Sequence, residues 1–282
     1  MNIAYAFRMK TIIKILLATF SRINLIFEAL NRLHAYANSI YYANIQPDDL
    51  IKFKSLLNQT IFIESVNLVR VGSSHDGGYV LANLFSEQQS VISLGIGSNS
   101  DFEMAISKYV SKVFCFDGSI RDLPQQNLKL EFEKKHVKKV ASKSSTSLAN
   151  ILQGIKENHL ILKIDIEGAE WEVLESTPQS DLMRFDQIVG EFHGFTENRS
   201  GQVGLKKKVQ ILEKLLENFE IINLHPNNWG SYRIIKGTPV PDVIEFTFIN
   251  KNLLNSKNFS KSSKFYSTQN SPCNPEKFEY HL

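Results

Sequence analysis

Three carboxylates follow directly on an apolar run in the segment "LILKIDIEGAEWEVLES", residues 160–176. Burying a charge is costly, so a carboxylate that ends a buried strand is expected to face an opening. Asp165 ends the apolar run and Glu167 lies in the turn that follows. Glu170 and Glu172 come early in the next helix, where acids suit the positive end of the helix dipole. The pattern therefore predicts that Asp165 contacts a ligand.

Two further strand ends carry residues that suit a nucleotide-like ligand. Gly95 and Gly97 follow one apolar strand in "SLGIGSNSDFE", and Asp117 and Gly118 follow the next strand. Glycines let a ligand approach the backbone, and the helix behind them offers free N–H groups. An acid about 20 residues past such a turn is placed to accept hydrogen bonds from a ribose diol. These residues predict an adenosine-containing cofactor, which leaves NAD and S-adenosylmethionine both open.

Strands and helices alternate along the chain between residues 66 and 249. Alternation of this kind predicts βαβ units and a parallel sheet with helices on both faces. The last two strands have no helix between them, so we expect an antiparallel hairpin at one edge of the sheet. The predicted strands are 91–96, 112–117, 136–142, 159–165, 187–192, 220–225 and 242–249, and the predicted helices are 48–58, 101–110, 147–155, 169–176 and 205–219.

The composition is that of an ordinary globular protein. Of the 282 residues, 43% are hydrophobic and 22% charged, and the net charge of +3 is too slight to indicate nucleic-acid binding. The two cysteines, Cys115 and Cys273, indicate neither a disulfide framework nor a zinc site, which fits a reducing compartment.

The N-terminal segment 11–30, "TIIKILLATFSRINLIFEAL", is apolar at helical spacing. It carries Lys14, Arg22 and Glu28, whereas a bilayer span needs about 20 residues nearly free of charge. No small-residue cleavage site of a signal peptide is evident. The pattern predicts an amphipathic helix that packs on its own domain, forms a dimer or lies on an anionic membrane surface. We expect a cytoplasmic protein, with membrane association through this helix left open.

Several of these segments resemble a known family. "LKIDIEGAEWEVL" closely resembles the signature of FkbM-type S-adenosylmethionine-dependent methyltransferases. "VRVGSSHDGGYVL" (69–81), followed by the glycine turn, resembles the methyltransferase-like 24 branch, and "GEFHGF", "INLHPNN" and "PDVIEFTFI" resemble the end of that domain. The resemblance spans residues 66–249.

The resemblance implies a class I methyltransferase fold, with a Rossmann-like seven-stranded sheet whose last strand is antiparallel. It also explains Ser100 in place of a third glycine, because S-adenosylmethionine has no pyrophosphate. Residues 142–147, "SKSSTS", are expected to line the adenine pocket. Asp76 and Gly77 would form a turn over the cofactor or substrate, although "HDGGY" also suits a plain hairpin turn. The residues expected to bind the cofactor are Gly95, Gly97, Asp117, Gly118, Asp76, Gly77 and Asp165.

Methyl transfer to a hydroxyl requires a positioned base or a metal. His193 is the expected base because the ordinary pKa of histidine lies near neutral pH. Asp165 and Glu191 are the other catalytic candidates, as groups that orient His193, contact the cofactor or bind Mg²⁺. The chain shows no complete Mg²⁺ ligand set, so no metal site is assigned. The candidates for substrate binding or turn capping are His225, Asn227 and Asn228.

The most favoured function is an S-adenosylmethionine-dependent O-methyltransferase that acts on a hydroxyl of a sugar or glycan precursor, with no nucleic-acid partner. The acceptor rests on family analogy alone. Two alternatives remain open, an NAD-dependent oxidoreductase and a non-catalytic membrane- or partner-binding protein on a methyltransferase-like fold. The expected organisation is a helical extension (1–60), a methyltransferase domain (61–250) and an irregular C-terminal tail (251–282).

Overall fold

Strands alternate with helices along the computed structural model, which describes residues 42, 44–63, 66–196, 203–255, 261–263 and 267–280. Its strands are β1 (Ile61–Ile63), β2 (Leu68–Gly72), β3 (Gly78–Ala82), β4 (Ser90–Leu94), β5 (Lys112–Phe116), β6 (Leu130–Glu133), β7 (His136–Val137), β8 (Ser145–Thr146), β9 (Leu160–Ile164), β10 (Phe185–Phe192), β11 (Phe219–Pro226), β12 (Tyr232–Ile235), β13 (Thr238–Pro241), β14 (Ile244–Asn250) and β15 (Lys261–Ser263). Its helices are α1 (Pro47–Leu57), α2 (Asp101–Ile106), α3 (Leu148–Gly154), α4 (Glu170–Ser176), α5 (Gln179–Leu182), α6 (Leu205–Leu216) and α7 (Lys251–Asn255).

The chain divides into two units, Met1–Asn44 and Ile45–Leu282. The second unit contains every element given above. The amphipathic helix predicted at 11–30 lies outside the described residues.

Seven strands form one mixed sheet in the order β11-β14-β10-β9-β4-β5-β6. Strands β10, β9, β4, β5 and β6 are parallel, and β14 is antiparallel to both β10 and β11. The order reverses between β4 and β9, because the chain first builds outward through β5 and β6 and then returns to β9. This topology confirms the predicted Rossmann-like sheet of seven strands with an antiparallel last strand.

The central strands are apolar because both faces of the sheet are covered. Every residue of β4 and of β9 is buried, as is usual in parallel sheets. Lys163 is the exception in residue type within β9, and its ammonium donates a hydrogen bond to the carbonyl oxygen of Gly95. This bond joins the central strand to the glycine turn.

The described helices α1 and α6 follow known residue preferences for helix ends and buried faces. α1 starts at Pro47, whose missing N–H costs nothing in the first turn, and Asp48 and Asp49 follow at the positive end of the dipole. α6 buries apolar residues at helical spacing, among them Leu205, Val209 and Leu212, and packs against α1. The structure confirms the predicted helices at 48–58 and 205–219 to within three residues at each end.

The sheet edge beyond β5 differs from the prediction. The edge strand is β6, in the sequence "LEFE", whereas the segment 136–142 forms only the two-residue strand β7, which pairs with β8 outside the main sheet. An edge strand has one bare side and a half-exposed face, so β6 lacks the apolar run that marks the central strands.

Two hairpins and one long-range strand pair lie outside the seven-stranded sheet. β2 and β3 form an antiparallel hairpin that closes at Gly72 and Gly78, which confirms the turn predicted for "HDGGY". The guanidinium of Arg70 holds this turn by donating to the carbonyls of Ser73 and His75 at 2.9 and 2.6 Å. The small hairpin β12–β13 lies between β11 and β14, and β15 pairs with β1.

Candidate active site

The carboxyl ends of β4 and β9 meet where the strand order reverses. Leu94 is paired with Ile164, so Gly95 and Asp165 follow the two strand ends side by side. The φ angle of Gly95 is 80°, and a Cβ there would lie 1.7 Å from the carbonyl oxygen of Asp165. Only glycine fits this close approach. Open α/β sheets bind their ligands in the crevice at such a point.

The first cavity at this edge, which we call the Asp117 cavity, has a volume of about 240 Å³. It lies over the ends of β5 and β9. Its walls include Gly95, Asp117, Gly118, His136, Asp165 and Glu167. Four of the residues predicted to bind the cofactor therefore surround one cavity.

Asp117 shapes the glycine turn from within this cavity. Its Oδ2 accepts hydrogen bonds from the backbone N–H groups of Ile96 and Gly97 at 2.8 and 2.9 Å. Its Oδ1 accepts from the N–H and the hydroxyl of Ser119 at 2.7 and 2.6 Å. Burial raises the pKa of the Asp117 carboxyl, but these hydrogen bonds outweigh it and lower the pKa to about 2. Asp117 is therefore an anion at the end of β5.

Two of the other predicted glycines, Gly97 and Gly118, differ in what surrounds them. Gly97 has a φ of 63°, and a Cβ there would meet nothing within 4 Å, so space remains beside its backbone. At Gly118, a Cβ would lie 2.3 Å from the ring of His136. The ring of His136 therefore packs directly on the Gly118 backbone at the cavity wall.

A second cavity, which we call the Asp76 cavity, has a volume of about 220 Å³ and adjoins the first. Asp76 and Gly77, from the β2–β3 turn, contribute to its walls, as do Glu103, Asp165 and Glu167. Burial, with the nearby carboxylates, raises the pKa of Asp76, and burial also raises the pKa of Glu103. Asp165 and Glu167 line both cavities, so they mark the boundary between them.

Asp165 is held in a defined position at this boundary. Its side chain is 26% exposed, and its Oδ2 accepts a hydrogen bond from the hydroxyl of Tyr79 at 2.9 Å. Burial, together with the charge of Asp165, raises the pKa of Tyr79 well above its ordinary value, so Tyr79 remains a donor. Lys163 Nζ lies 3.9 Å from the same Oδ2.

His193 lies behind Asp165 and is surrounded by carboxylates. Its Nδ1 lies 3.0 Å from Glu170 Oε1. Its Nε2 lies 3.9 Å from Asp165 Oδ1, 3.8 Å from Glu167 Oε2 and 3.5 Å from Glu191 Oε2. Burial alone lowers the pKa of this imidazole, but Glu170, Glu191 and Asp165 raise it to about 10. His193 is therefore an imidazolium at neutral pH, contrary to the expectation of a pKa near neutrality.

The location of His193 also bears on its predicted role as the base. The residue is 5% exposed. Among the described residues that line the two cavities, Asp165 and Glu167 are present and His193 is absent. The base role of His193 stays a prediction, and the group of this cluster that faces the cavities is Asp165.

Glu170 does more than the helix-start role that the sequence suggested. It is fully buried, and its Oε1 accepts from the N–H groups of Ile166 and Gly168 at 2.9 and 3.0 Å as well as from His193. Burial raises the pKa of Glu170, but His193 and these N–H groups lower it below its usual value. One carboxylate thus holds both the turn after β9 and the imidazolium.

Glu191 is buried on the other side of the same ring. Its Oε1 accepts from the side-chain amide of Asn227 at 2.8 Å. Burial and the charges of Asp165 and Glu245 raise the pKa of Glu191 well above its usual value. Nε2 of His193, a nitrogen donor, lies within 3.9 Å of both Asp165 and Glu191, whereas Mg²⁺ prefers oxygen ligands alone. The geometry therefore does not favour the Mg²⁺ prediction.

The three predicted substrate-binding residues contact protein groups. His225 lies between two glutamates, with Nδ1 3.1 Å from Glu245 Oε2 and Nε2 2.6 Å from Glu279 Oε1. Asn227 donates to Glu191, and Asn228 donates to the carbonyl of Asn274 at 2.8 Å. All three are at most 4% exposed. This arrangement supports a structural role for His225, Asn227 and Asn228.

Sequence reasoning missed the residues that close the Asp117 cavity. Residues 135–138 line it, whereas the expected segment 142–147 forms β8 and the N-cap of α3 at Ser147. The segment "KHVK" contains no motif that indicates ligand binding. It reaches the cavity because the short β7–β8 pairing turns it over the end of β5.

A parallel sheet with a glycine turn at β4, an acid at the end of β5 and a second acid at β9 defines the class of Rossmann-like nucleotide-binding enzymes. The family model of the methyltransferase FkbM domain matches residues 60–224, more than half of the 282 residues. The chain belongs to the FkbM methyltransferase family. It is an S-adenosylmethionine-dependent methyltransferase, which sets aside both the oxidoreductase and the non-catalytic alternative. The narrower resemblance to the methyltransferase-like 24 branch stays a prediction.

Some solved methyltransferase structures are similar to this chain at low identity. An rRNA methylase from Streptococcus thermophilus is 12% identical, with 59% of this chain and 89% of that chain covered and a TM-score of 0.34. A Streptococcus mutans protein in complex with SAH is 11% identical, with 58% and 89% covered and a TM-score of 0.30. The N-methyltransferase NodS from Bradyrhizobium japonicum is 7% identical, with 59% and 87% covered and a TM-score of 0.31. These likenesses carry no argument about the acceptor.

A search of curated proteins found no match. Within the described residues, no helix combines the length and apolar character needed to cross a bilayer. Peripheral membrane contact and dimerisation through the segment 11–30 stay predictions.

Proposed function

We propose that the chain transfers the methyl group of S-adenosylmethionine to a hydroxyl of a sugar or glycan precursor. The observation that carries this proposal is the pair of adjoining cavities that share Asp165 and Glu167. The Asp117 cavity carries four of the seven residues predicted to bind the cofactor, and the other three, Asp76, Gly77 and Gly97, lie in the Asp76 cavity. The Asp76 cavity is also lined by carboxyl groups suited to a neutral, hydroxyl-rich acceptor.

The Asp117 cavity fits the adenosyl part of the cofactor. Asp117 is an anion at its wall, at the position from which a ribose diol is bound in related sheets. Gly97, which has open space beside its backbone, lines the adjoining Asp76 cavity. His136 offers a ring at the cavity wall, and Asp165 closes the far side. When bound, S-adenosylmethionine supplies an electrophilic methyl group.

The Asp76 cavity determines the proposed acceptor class. Asp76, Glu103, Asp165 and Glu167 contribute carboxyl groups, and the ammonium of Lys163 is directed to the carbonyl of Gly95. A phosphate would be repelled by this lining, whereas neutral hydroxyls donate strong hydrogen bonds to carboxylates. The lining therefore supports a neutral, polyhydroxylated acceptor and opposes nucleic acid. The choice of a sugar within that class rests on family analogy.

Asp165 is the proposed proton acceptor for the reacting hydroxyl, because it is the partly exposed carboxylate at the boundary of the two cavities. Tyr79 fixes one of its oxygens through the 2.9 Å hydrogen bond. Nε2 of the His193 imidazolium lies 3.9 Å from the other oxygen. His193 thus acts through Asp165, as a positioning residue, and Glu170 holds the ring.

Two measurements test the proposal. Titration calorimetry with S-adenosylmethionine, S-adenosylhomocysteine and NAD is expected to give micromolar binding of the two sulfur ligands and no binding of NAD. Methyl transfer from labelled cofactor is then measured on a panel of neutral glycans, phosphorylated glycans and RNA, each with and without Mg²⁺. Transfer to neutral glycans alone is expected, and preferential transfer to RNA would overturn the acceptor assignment.

A further inference from the structure

A histidine, a glutamate and a cysteine converge beside the antiparallel edge of the sheet. His225 lies in β11, Glu245 in β14 and Cys273 in the C-terminal tail, by which we mean residues 267–280. Their donor atoms all lie within 4.8 Å of one another, and all three residues are at most 4% exposed. Sγ of Cys273 lies 3.0 Å from Glu245 Oε1, and Nδ1 of His225 lies 3.1 Å from Glu245 Oε2.

The sheet register sets two carboxylates against each other at this place. Glu245 is the direct partner of His225 on one side and of Glu191 on the other. Like charges directly opposite each other in a sheet are destabilising, and here both carboxyl groups are buried. Positive charge near Glu245 lowers this repulsion, and a bound metal ion would supply such charge.

The cysteine is held in place before any ion arrives. On one side of Cys273, the carbonyl of Pro272 lies 3.0 Å from the ring of His75. On the other side, the N–H of Asn274 donates to the side-chain oxygen of Asn228 at 2.7 Å. The backbone on both sides of the thiol is therefore fixed to the domain.

This donor set is typical of transition metals of the zinc type. Imidazole nitrogen, carboxylate oxygen and thiolate sulfur bind such ions at about 2.0 to 2.3 Å, which places tetrahedral donor atoms roughly 3.3 to 3.8 Å apart. The observed separations require only small movements of the side chains. Mg²⁺ and Ca²⁺ prefer oxygen ligands alone, so they fit this set poorly.

A fourth residue orients the histidine from behind. Glu279 Oε1 lies 2.6 Å from Nε2 of His225, the ring nitrogen that points away from Glu245. Metal-binding histidines usually donate their second N–H to a carboxylate in this way, which leaves the first nitrogen free to bind the metal.

We propose that His225, Glu245 and Cys273 bind one divalent transition metal ion, with a fourth position for water, and that Glu279 orients His225. Binding releases the thiol proton of Cys273 and the Nδ1 proton of His225, because the ligands are a thiolate and a neutral imidazole. The ion would join the C-terminal tail to β11 and β14. The site is independent of methyl transfer, so either proposal can fail without the other.

The test uses the full chain without a polyhistidine tag, stripped with a chelator and titrated with Co²⁺ and Zn²⁺. One Co²⁺ per chain is expected, with micromolar or tighter affinity and a near-ultraviolet sulfur-to-cobalt absorption. Cys273→Ala should abolish that absorption and weaken Co²⁺ binding at least about 100-fold. Cys115→Ala is the matched control, since Cys115 lies buried in β5 and is the other cysteine of the chain.

A second variant and a second readout keep the test decisive. Glu279→Gln should weaken Co²⁺ binding about 10- to 100-fold while the absorption remains. If Cys273→Ala fails to fold, native mass spectrometry of the wild-type chain with Zn²⁺ and with Mg²⁺ decides, and one bound Zn²⁺ but no Mg²⁺ is expected. Failure of the wild-type chain to bind stoichiometric Co²⁺ or Zn²⁺, or a sulfur absorption that survives Cys273→Ala, would overturn the site. The cluster would then be an ion-paired network without metal.

Discussion

His193 and His225 are each at the centre of a cluster of buried side chains, and each ring lies between carboxylates. Glu170 faces Nδ1 of His193 at 3.0 Å, and Glu245 faces Nδ1 of His225 at 3.1 Å. The two clusters differ in the partner of Nε2, the second ring nitrogen. In the first cluster it faces Asp165 at 3.9 Å, whereas in the second it faces Glu279 of the C-terminal tail at 2.6 Å.

Because of this difference, the first cluster is accessible to a ligand and the second is not. The first cluster opens onto two cavities through a carboxylate that is 26% exposed. In the second cluster the tail lies over the histidine, and His225 itself is 4% exposed. Similar side chains therefore form a ligand-facing site beside the parallel strands. Beside the antiparallel strands they connect the C-terminal tail to the sheet.

The largest effect is expected for Asp165→Asn. The asparagine keeps the size of the side chain but cannot take a proton, so kcat should fall at least about 100-fold. Turnover is measured with labelled cofactor, and binding of S-adenosylhomocysteine should persist in calorimetry. Asp122→Asn makes the same chemical change at a side chain that is 71% exposed and should leave kcat unchanged. Full turnover by Asp165→Asn would remove Asp165 from the reaction.

The charge of His193 should make stability depend on pH in one direction. Its pKa is raised from 6.5 to about 10 in the folded chain, so the folded state holds a proton that the unfolded state loses between these values. The contribution is complete below pH 6.5 and is lost as the pH rises through about 10, and its size is at most about 5 kcal/mol.

Two measurements address this pH dependence. Urea unfolding at a series of pH values gives the free energy of unfolding, and NMR titration of the His193 ring gives its pKa directly. A ring that titrates near 6.5 would contradict the imidazolium. A separate pH profile of turnover tests the base role, because turnover that rises with pH up to about 10 would favour His193 as the base.

Asp117→Ala should weaken cofactor binding about 100-fold, or ~2.7 kcal/mol. The variant removes the carboxylate assigned to the ribose. It also removes four hydrogen bonds that hold Gly97, Ile96 and Ser119, so a lower Tm is expected too. Calorimetry with S-adenosylhomocysteine measures the affinity and calorimetric melting measures the Tm. Asp122→Ala is the control, and unchanged affinity in Asp117→Ala would contradict the ribose assignment.

The smallest effect is expected for Asn228→Ala, and this variant distinguishes a structural role of Asn228 from a substrate-binding role. Asn228→Ala leaves the Asn274 backbone without its partner, so the free energy of unfolding should fall by about 2 kcal/mol. Affinity for S-adenosylhomocysteine and the KM for the acceptor should stay the same. Gln88→Ala, at an exposed position, is the control for the unfolding measurement. A raised KM at unchanged stability would restore the substrate-binding prediction.

The parallel part of the molecule could be predicted closely from sequence. The strands β4, β5 and β9 are mainly apolar, each is followed by Gly95, Asp117 or Asp165, and the parallel pairing brings those ends together. By contrast, the edge strand β6 was missed because its sequence alternates apolar and charged residues. The role of Glu170 was also missed, since its helix-start position explains an acid there without any reference to His193.

The cluster beside the antiparallel strands shows why the remaining contacts could not be predicted from the sequence. Glu245 and Cys273 lie 20 and 48 residues along the chain from His225, and no spacing rule connects them. The sequence by itself determined the strand ends, the glycine turn and the acids that follow, because local periodicity and chain order decide those. Tertiary structure alone decided which carboxylates surround each histidine, and hence the raised pKa of His193. It also brought the C-terminal tail against β11 and β14, since long-range packing and not local sequence sets which groups share a buried space.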